Sequence, residues 1–93
     1  MTIEHIRQVV MGLIDKYHIS RVTLFGSRAG ENYREDSDVD LIMEFSRQIS
    51  LITLASITNE LEELLQLKVD VIHGPIRDDD ILEIKNEVVL YAA

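Results

Sequence analysis

The chain contains no cysteine, which excludes disulfides, thiolate metal sites and a cysteine nucleophile. Basic residues are scarce: nine Lys and Arg stand against 17 Asp and Glu, a formal net charge of −8. That charge repels a polyphosphate backbone at long range. Direct nucleic-acid binding is therefore not expected, since such affinity rests on neutralising phosphates with Lys and Arg. No apolar run approaches the ~20 residues that span a bilayer. Glu4 and His5 stand where a secretory leader would carry basic residues. The expectation is a soluble, cytoplasmic protein without membrane contact. At 93 residues a second core would leave each half too short to bury enough apolar surface, so residues 1–93 are read as one domain. Little material is then left to wall in a substrate, and a partner is expected to supply part of any active site.

Hydrophobic spacing gives the elements. Ile3, Ile6, Val9 or Val10, Leu13 and Tyr17 recur at helical spacing behind Thr2 as N-cap, predicting a helix over 2–17. Ser20 to Phe25 is short, β-branched and aromatic, and stops at Gly26, which reads as a strand. Residues 26–37 form a polar loop with room for a short helical turn after Ser27. In the next strand Val39, Leu41, Met43 and Phe45 take one face and Asp38, Asp40, Ile42 and Glu44 the other. Ser50 caps a helix over 51–65, with Leu51, Leu54, Ile57 or Thr58, Leu61, Leu64 and Leu65 on one stripe and Glu60, Glu62 and Glu63 outward. Lys68 to His73 is a third strand, ended by Gly74-Pro75. A last helix is expected from Asp78–Asp80 through Ile81, Leu82, Ile84, Val88, Val89 and Tyr91. The order α-β-(short α)-β-α-β-α predicts an α+β sandwich: a small mixed three-stranded sheet with helices on one face and an acidic second face open to solvent.

The acidic face carries the chemistry. Asp38 and Asp40 project to the same side with Cα atoms only ~7 Å apart, and such like charges destabilise one another. Asp70, set between Val69 and Val71, takes the face those two leave, so three carboxylates converge if the strands are neighbours. A hard divalent cation offsets that repulsion through oxygen ligands. Magnesium is the natural occupant, because it accepts one or two carboxylates together with waters and substrate phosphates. With two ions, one activates an attacking hydroxyl and the other stabilises a triphosphate and its leaving pyrophosphate. Asp70 becomes the third ligand and the acceptor of the nucleophile's proton, directly or through water. Gly26-Ser27 directly follows a strand, where glycine admits phosphate oxygens to the backbone and the serine hydroxyl adds a donor. Gly-Ser with Asp-x-Asp at one fixed spacing arises by chance in roughly one chain of this length in a thousand.

The run Gly26-Ser27-Arg28-Ala29 through Ser37-Asp38-Val39-Asp40-Leu41, followed by Val69-Asp70-Val71, resembles the minimal nucleotidyltransferases of the polymerase-beta-like superfamily. These are the MNT antitoxins paired with HEPN-domain toxins. The resemblance spans the chain. It implies that Gly26, Ser27 and Arg28 bind nucleotide and that Asp38, Asp40 and Asp70 are catalytic and hold magnesium, two ions in all. It also implies that ATP is the substrate and that AMP passes to a tyrosine hydroxyl of a cognate HEPN ribonuclease toxin held in a hetero-oligomer. Family members often carry Arg-Ala-Arg-Gly after Gly-Ser, whereas this chain has Arg28-Ala29-Gly30-Glu31. That departure leaves Arg28 or Arg34 to take over a phosphate contact, or leaves the nucleotide more weakly held. Two rivals follow: an antitoxin that neutralises its partner by occlusion alone, and an antibiotic-modifying type of subunit acting on a small molecule.

Other residues are read plainly. His5, His18 and His73 share no spacing and are taken as surface or turn residues. Asp78, Asp79 and Asp80 complement a helix dipole. Arg34 and Glu44 are assigned structural roles, and Tyr33 is an exposed loop residue.

Overall fold

A computed structural model of the chain describes residues 2–26, 38–75 and 87–93. The elements are α1 (Ile3–Met11), α2 (Ile14–Tyr17), β1 (Ile19–Phe25), β2 (Val39–Phe45), α3 (Leu51–Leu65), β3 (Val69–His73) and β4 (Glu87–Ala92). The strands form one mixed sheet in the order β3-β2-β1-β4. β1 lies antiparallel to both β2 and β4, while β2 and β3 run parallel.

The caps expected at Thr2 and Ser50 are present: Thr2 Oγ1 accepts from the His5 N–H at 3.1 Å and Ser50 Oγ from the Thr53 N–H at 3.1 Å. The helix expected over 2–17 is broken. At Gly12 and Leu13 the backbone switches to bonds three residues back, Gly12 N–H to Val9 C=O and Leu13 N–H to Val10 C=O. The chain resumes as α2 and leaves it through His18 in the left-handed conformation, φ 55°. Glycine, a poor helix former, sits where this tightening occurs.

Sheet and helices meet on one face. Ile6 and Val10 of α1, Ile14 of α2 and Ile57, Leu61 and Leu65 of α3 pack with Val22, Leu24, Val39, Leu41, Met43, Val69 and Leu90 in a single core. On α3 the buried stripe is the four-residue series Ile57, Leu61 and Leu65, while Leu51 and Leu64, expected on it, are exposed. Glu60 and Glu62, expected to be solvated, are inter-element contacts. Glu60 accepts from the Tyr17 hydroxyl at 2.8 Å and from Lys16 Nζ at 3.0 Å, and Glu62 Oε2 accepts from the Val69 N–H at 3.1 Å. These bonds join α3 to α2 and to the start of β3.

Among the described residues the sheet has four strands, where three were expected. Residues 87–92, expected to close a helix, are β4, with Leu24 opposite Val88 and Phe25 opposite Glu87. The Val-Val-Leu-Tyr run suits a pleated, half-buried surface, and β1 offers it a row of unpaired backbone groups. Leu90, two residues after inward-facing Val88, lies in the core; an irregularity opposite Val22 and Thr23 leaves it without a partner on β1, and Arg7 Nε donates to its carbonyl at 3.2 Å. The start of the expected last helix, with Asp78–Asp80, and the short turn after Ser27 lie outside the described residues. The second face of the sheet is not bare throughout: Thr23 and Ile42 on it are buried, Ile42 beneath Gly74.

Leu90→Ala is expected to lower stability by about 2–5 kcal/mol, the cost of emptying a buried leucine site, read as a shifted urea midpoint. A surface position on a helix would lose almost nothing.

Candidate functional site

The topology gathers the singled-out residues at one end of the sheet. β1 ends at Phe25 with Gly26 next, β2 begins at Val39 and β3 at Val69. With β1 antiparallel to β2 and β3 parallel to it, that end of β1 meets the beginnings of the other two. Asp40 has Asp70 as its partner on one side and Phe25 on the other, and Phe25 in turn faces Glu87. Residues opposite one another across strands share a face. Asp70, Asp40, Phe25 and Glu87 thus form one row on the face away from the core, while Val69, Val39, Leu24 and Val88 turn inward.

The carboxylates crowd each other. Asp40 is half-buried, whereas Asp38 and Asp70 are exposed. The Asp40 carboxyl is held above the usual carboxylate range, first by burial and then by the charges of Asp70 and Asp38. Hydrogen bonding with Asp70 adds to the rise and Lys68 opposes it. Both other aspartates therefore act on Asp40, and among the described residues Lys68 is the cation that opposes them.

Gly26 stands against this group and is constrained in two ways. Its φ is +79°, a conformation that L side chains avoid, and a Cβ there would lie 2.7 Å from Asp40 Oδ2. The backbone approach that glycine permits is toward the carboxylate as well as toward any phosphate. Ser27, Arg28, Tyr33, Arg34 and the Arg28-Ala29-Gly30-Glu31 run lie outside the described residues.

The donor set suits a hard cation: oxygens only, at one end of the sheet, with the Asp40 carboxyl raised above its ordinary pKa by burial and by its acidic neighbours. Among the described residues, no three His, Asp or Glu side chains come together in a group that could by itself hold a metal ion, so the convergence expected of Asp38, Asp40 and Asp70 is not a three-ligand site. Magnesium does not require one, since waters and substrate phosphates complete its octahedron. The histidines take no part. His73 packs its ring on Phe45 at 5.3 Å at the far end of β3, His18 ends α2, and His5 donates its backbone N–H to Thr2. Glu44 pairs with Arg21 at 3.7 Å, in keeping with a structural role. Phe25 and Glu87 share the carboxylate row without having been singled out. For Phe25 the signal was available, because alternation from Leu24 sets it on the acidic side.

The sequence profile of the family described as Polymerase beta, Nucleotidyltransferase matches residues 8–92. A Methanocaldococcus jannaschii protein, named provisionally as a protein adenylyltransferase, is 37% identical over 94 residues, covering 96% of this chain and 97% of its own. The protein adenylyltransferase MntA of Thermococcus cleftensis is 30% identical over 76 residues, 77% of each chain. A solved structure of a tri-AMPylated Shewanella oneidensis HEPN toxin in complex with its MNT antitoxin superposes with a TM-score of 0.70. It covers 97% of this chain and 72% of that one at 14% identity, a likeness of fold.

Gly26→Ala is expected to cost about 1–2 kcal/mol from the left-handed backbone alone, with a further loss from displacing Asp40, measurable by chemical denaturation. Asp40→Asn should do the reverse. The folded Asp40 binds its proton more tightly than the unfolded chain does, so its contribution is fully present below the ordinary aspartate pKa and is lost as pH rises through the folded value. With chelator present, the Asn variant should melt on the order of a few degrees higher at neutral pH, with the difference vanishing in acid.

Proposed function

This chain belongs to the polymerase beta family of nucleotidyltransferases, and within it we propose a magnesium-dependent antitoxin that transfers AMP from ATP to a tyrosine hydroxyl of a cognate HEPN toxin. The observation that carries this reading is the Asp40–Asp70 pairing on parallel strands, with Asp38 acting on the same group and Gly26 in contact with it. Relatives named as protein adenylyltransferases support transfer to a protein. The fold shared with an antitoxin bound to an AMPylated HEPN toxin supports the partner.

In this reading Gly26, Ser27 and Arg28 hold the triphosphate, and Asp38, Asp40 and Asp70 hold magnesium. Bound there, the metal lowers the pKa of the attacking hydroxyl and stabilises the departing pyrophosphate. The tyrosine oxygen forms a bond to the α-phosphorus as the bond to pyrophosphate breaks, and Asp70 receives the phenolic proton, directly or through water. Asp40 and Asp70 sit at partner positions on paired strands, which supports a site that needs little reorganisation during reaction. The acceptor arrives on another protein, a reading that the relatives named as protein adenylyltransferases support.

A second reading, neutralisation by occlusion, is motivated by the Arg28-Ala29-Gly30-Glu31 run, which departs from the Arg-Ala-Arg-Gly that the family resemblance implies. One experiment separates the two. The double variant Asp38→Asn, Asp40→Asn is expected to abolish transfer of labelled AMP to the co-expressed partner, while chelator does the same to the parent protein. Persisting transfer would refute the mechanism. A variant that still protects cells, with no added mass on any partner tyrosine in the parent complex, would favour occlusion.

A further inference from the structure

The row that holds the carboxylates continues past them. Beyond Asp40 on the β1 side lies Phe25, and beyond Phe25 lies Glu87 on β4. Tyr17, Phe45 and Tyr91 pack against the core, whereas Phe25, alone among the aromatic residues described, does not. Its ring is half-buried on the face that carries the chemistry, flanked in register by two acids. Packing into the core therefore does not explain a large apolar side chain at this position.

A nucleotide bound as proposed above would have few directions to take from here. Its phosphates lie beside Gly26 and its α-phosphorus near Asp40. The β3 side of Asp40 is occupied by Asp70, which meets the incoming hydroxyl. Among the described residues, the side left to the nucleoside is the opposite one, over β1 and β4. Strands there are spaced at ~4.8 Å, which puts β4 ~10 Å from β2, comparable to the reach of a nucleoside from its α-phosphorus to the far edge of its base.

We propose that Phe25 and Glu87 form the nucleoside end of the site, the Phe25 ring serving as platform for the purine and the Glu87 carboxylate accepting from the exocyclic amine of adenine. The inference rests on the nucleotidyl-transfer reading and adds to it the base-binding residues and the base preference. An aromatic platform binds any base by its face, so selectivity must come from the edge. An ionised carboxylate only accepts hydrogen bonds. Adenine offers an amine at the position where guanine presents a carbonyl oxygen. With the six-position of the base turned to Glu87, the carboxylate attracts the adenine amine and repels the guanine carbonyl oxygen, which favours ATP over GTP; a guanine turned to present its N1–H and N2 amine would reverse the preference.

The test is binding, measured by calorimetry with magnesium present, of ATP, GTP and inorganic tripolyphosphate to the parent protein and to Phe25→Leu, Phe25→Tyr and Glu87→Gln. Phe25→Leu is expected to weaken both nucleotides by at least about fivefold while leaving tripolyphosphate within about twofold, the loss of stacking without loss of phosphate contact. Phe25→Tyr, which keeps the ring, should bind nucleotides like the parent and guards against a leucine variant that fails to fold. Glu87→Gln should narrow the ATP-to-GTP ratio by about fivefold or more, the scale of one specific base-edge contact. Equal weakening of tripolyphosphate by Phe25→Leu, or unchanged nucleotide affinities, would overturn the platform. An unchanged or widened ATP-to-GTP ratio in Glu87→Gln would overturn the selectivity. If those negative results come from a parent protein that binds ATP, only this inference falls. A parent protein that binds none of the three ligands would remove the nucleotidyl-transfer reading together with it.

Discussion

Two carboxylates side by side on adjacent strands repel each other, and the rest of this structure has to tolerate that repulsion. Asp40 and Asp70 occupy partner positions on β2 and β3, with Asp38 close enough to add its charge and Asp40 already partly withdrawn from water. Core packing alone has no use for such an arrangement. It persists because the backbone beneath it is determined elsewhere, by Val39, Leu41, Met43 and Val69 on the opposite face, each almost wholly buried. Strand alternation ties the two faces together: the side chains that anchor the sheet also dictate where the acids point.

The crossover between β2 and β3 fixes the register of the pair. α3 carries the chain back so that β3 can run parallel to β2, and Ile57, Leu61 and Leu65 hold it to the sheet. The bond from the Val69 N–H to Glu62 Oε2 ties the first residue of β3 to the helix before it. A slip of one residue would send Asp70 into the core and Val69 into solvent. The position of Asp70 therefore depends on contacts made by residues with no part in the chemistry, and substitutions in α3 can weaken the site without touching it.

Much of this was legible in the sequence, for identifiable reasons. β2 and β3 declared their faces by alternation, since Asp38 and Asp40 interrupt an apolar series and Asp70 stands between two valines. α3 declared itself by its cap and its spacing. What could not be read was which partner each segment meets. Nothing in Glu60 or Glu62 announces Tyr17, Lys16 or the Val69 amide. The stripe written through Leu51 and Leu64 is narrower in the fold, because only residues spaced by four meet the sheet. Residues 87–92 were assigned to a helix because a short apolar run fits either period, and the vacant edge of β1 that decides the matter is a tertiary fact. For Phe25 alternation from Leu24 declares the face, but the neighbours it meets there, Asp40 and Glu87, emerge only when β1, β2 and β4 are laid together.

The pairing of β1 with β4 also bears on how the molecule is made. β1 is an inner strand of the finished sheet, yet one of its neighbours is contributed by residues more than sixty positions later in the chain. Contacts so distant in sequence form late and slowly. Until they form, Ile19–Phe25 presents an apolar, unpaired margin of the kind that recruits strands from other molecules. Dilute conditions or early engagement of a partner would therefore improve the yield of native protein, and aggregation during expression would trace to that temporary margin rather than to any weakness of the completed core.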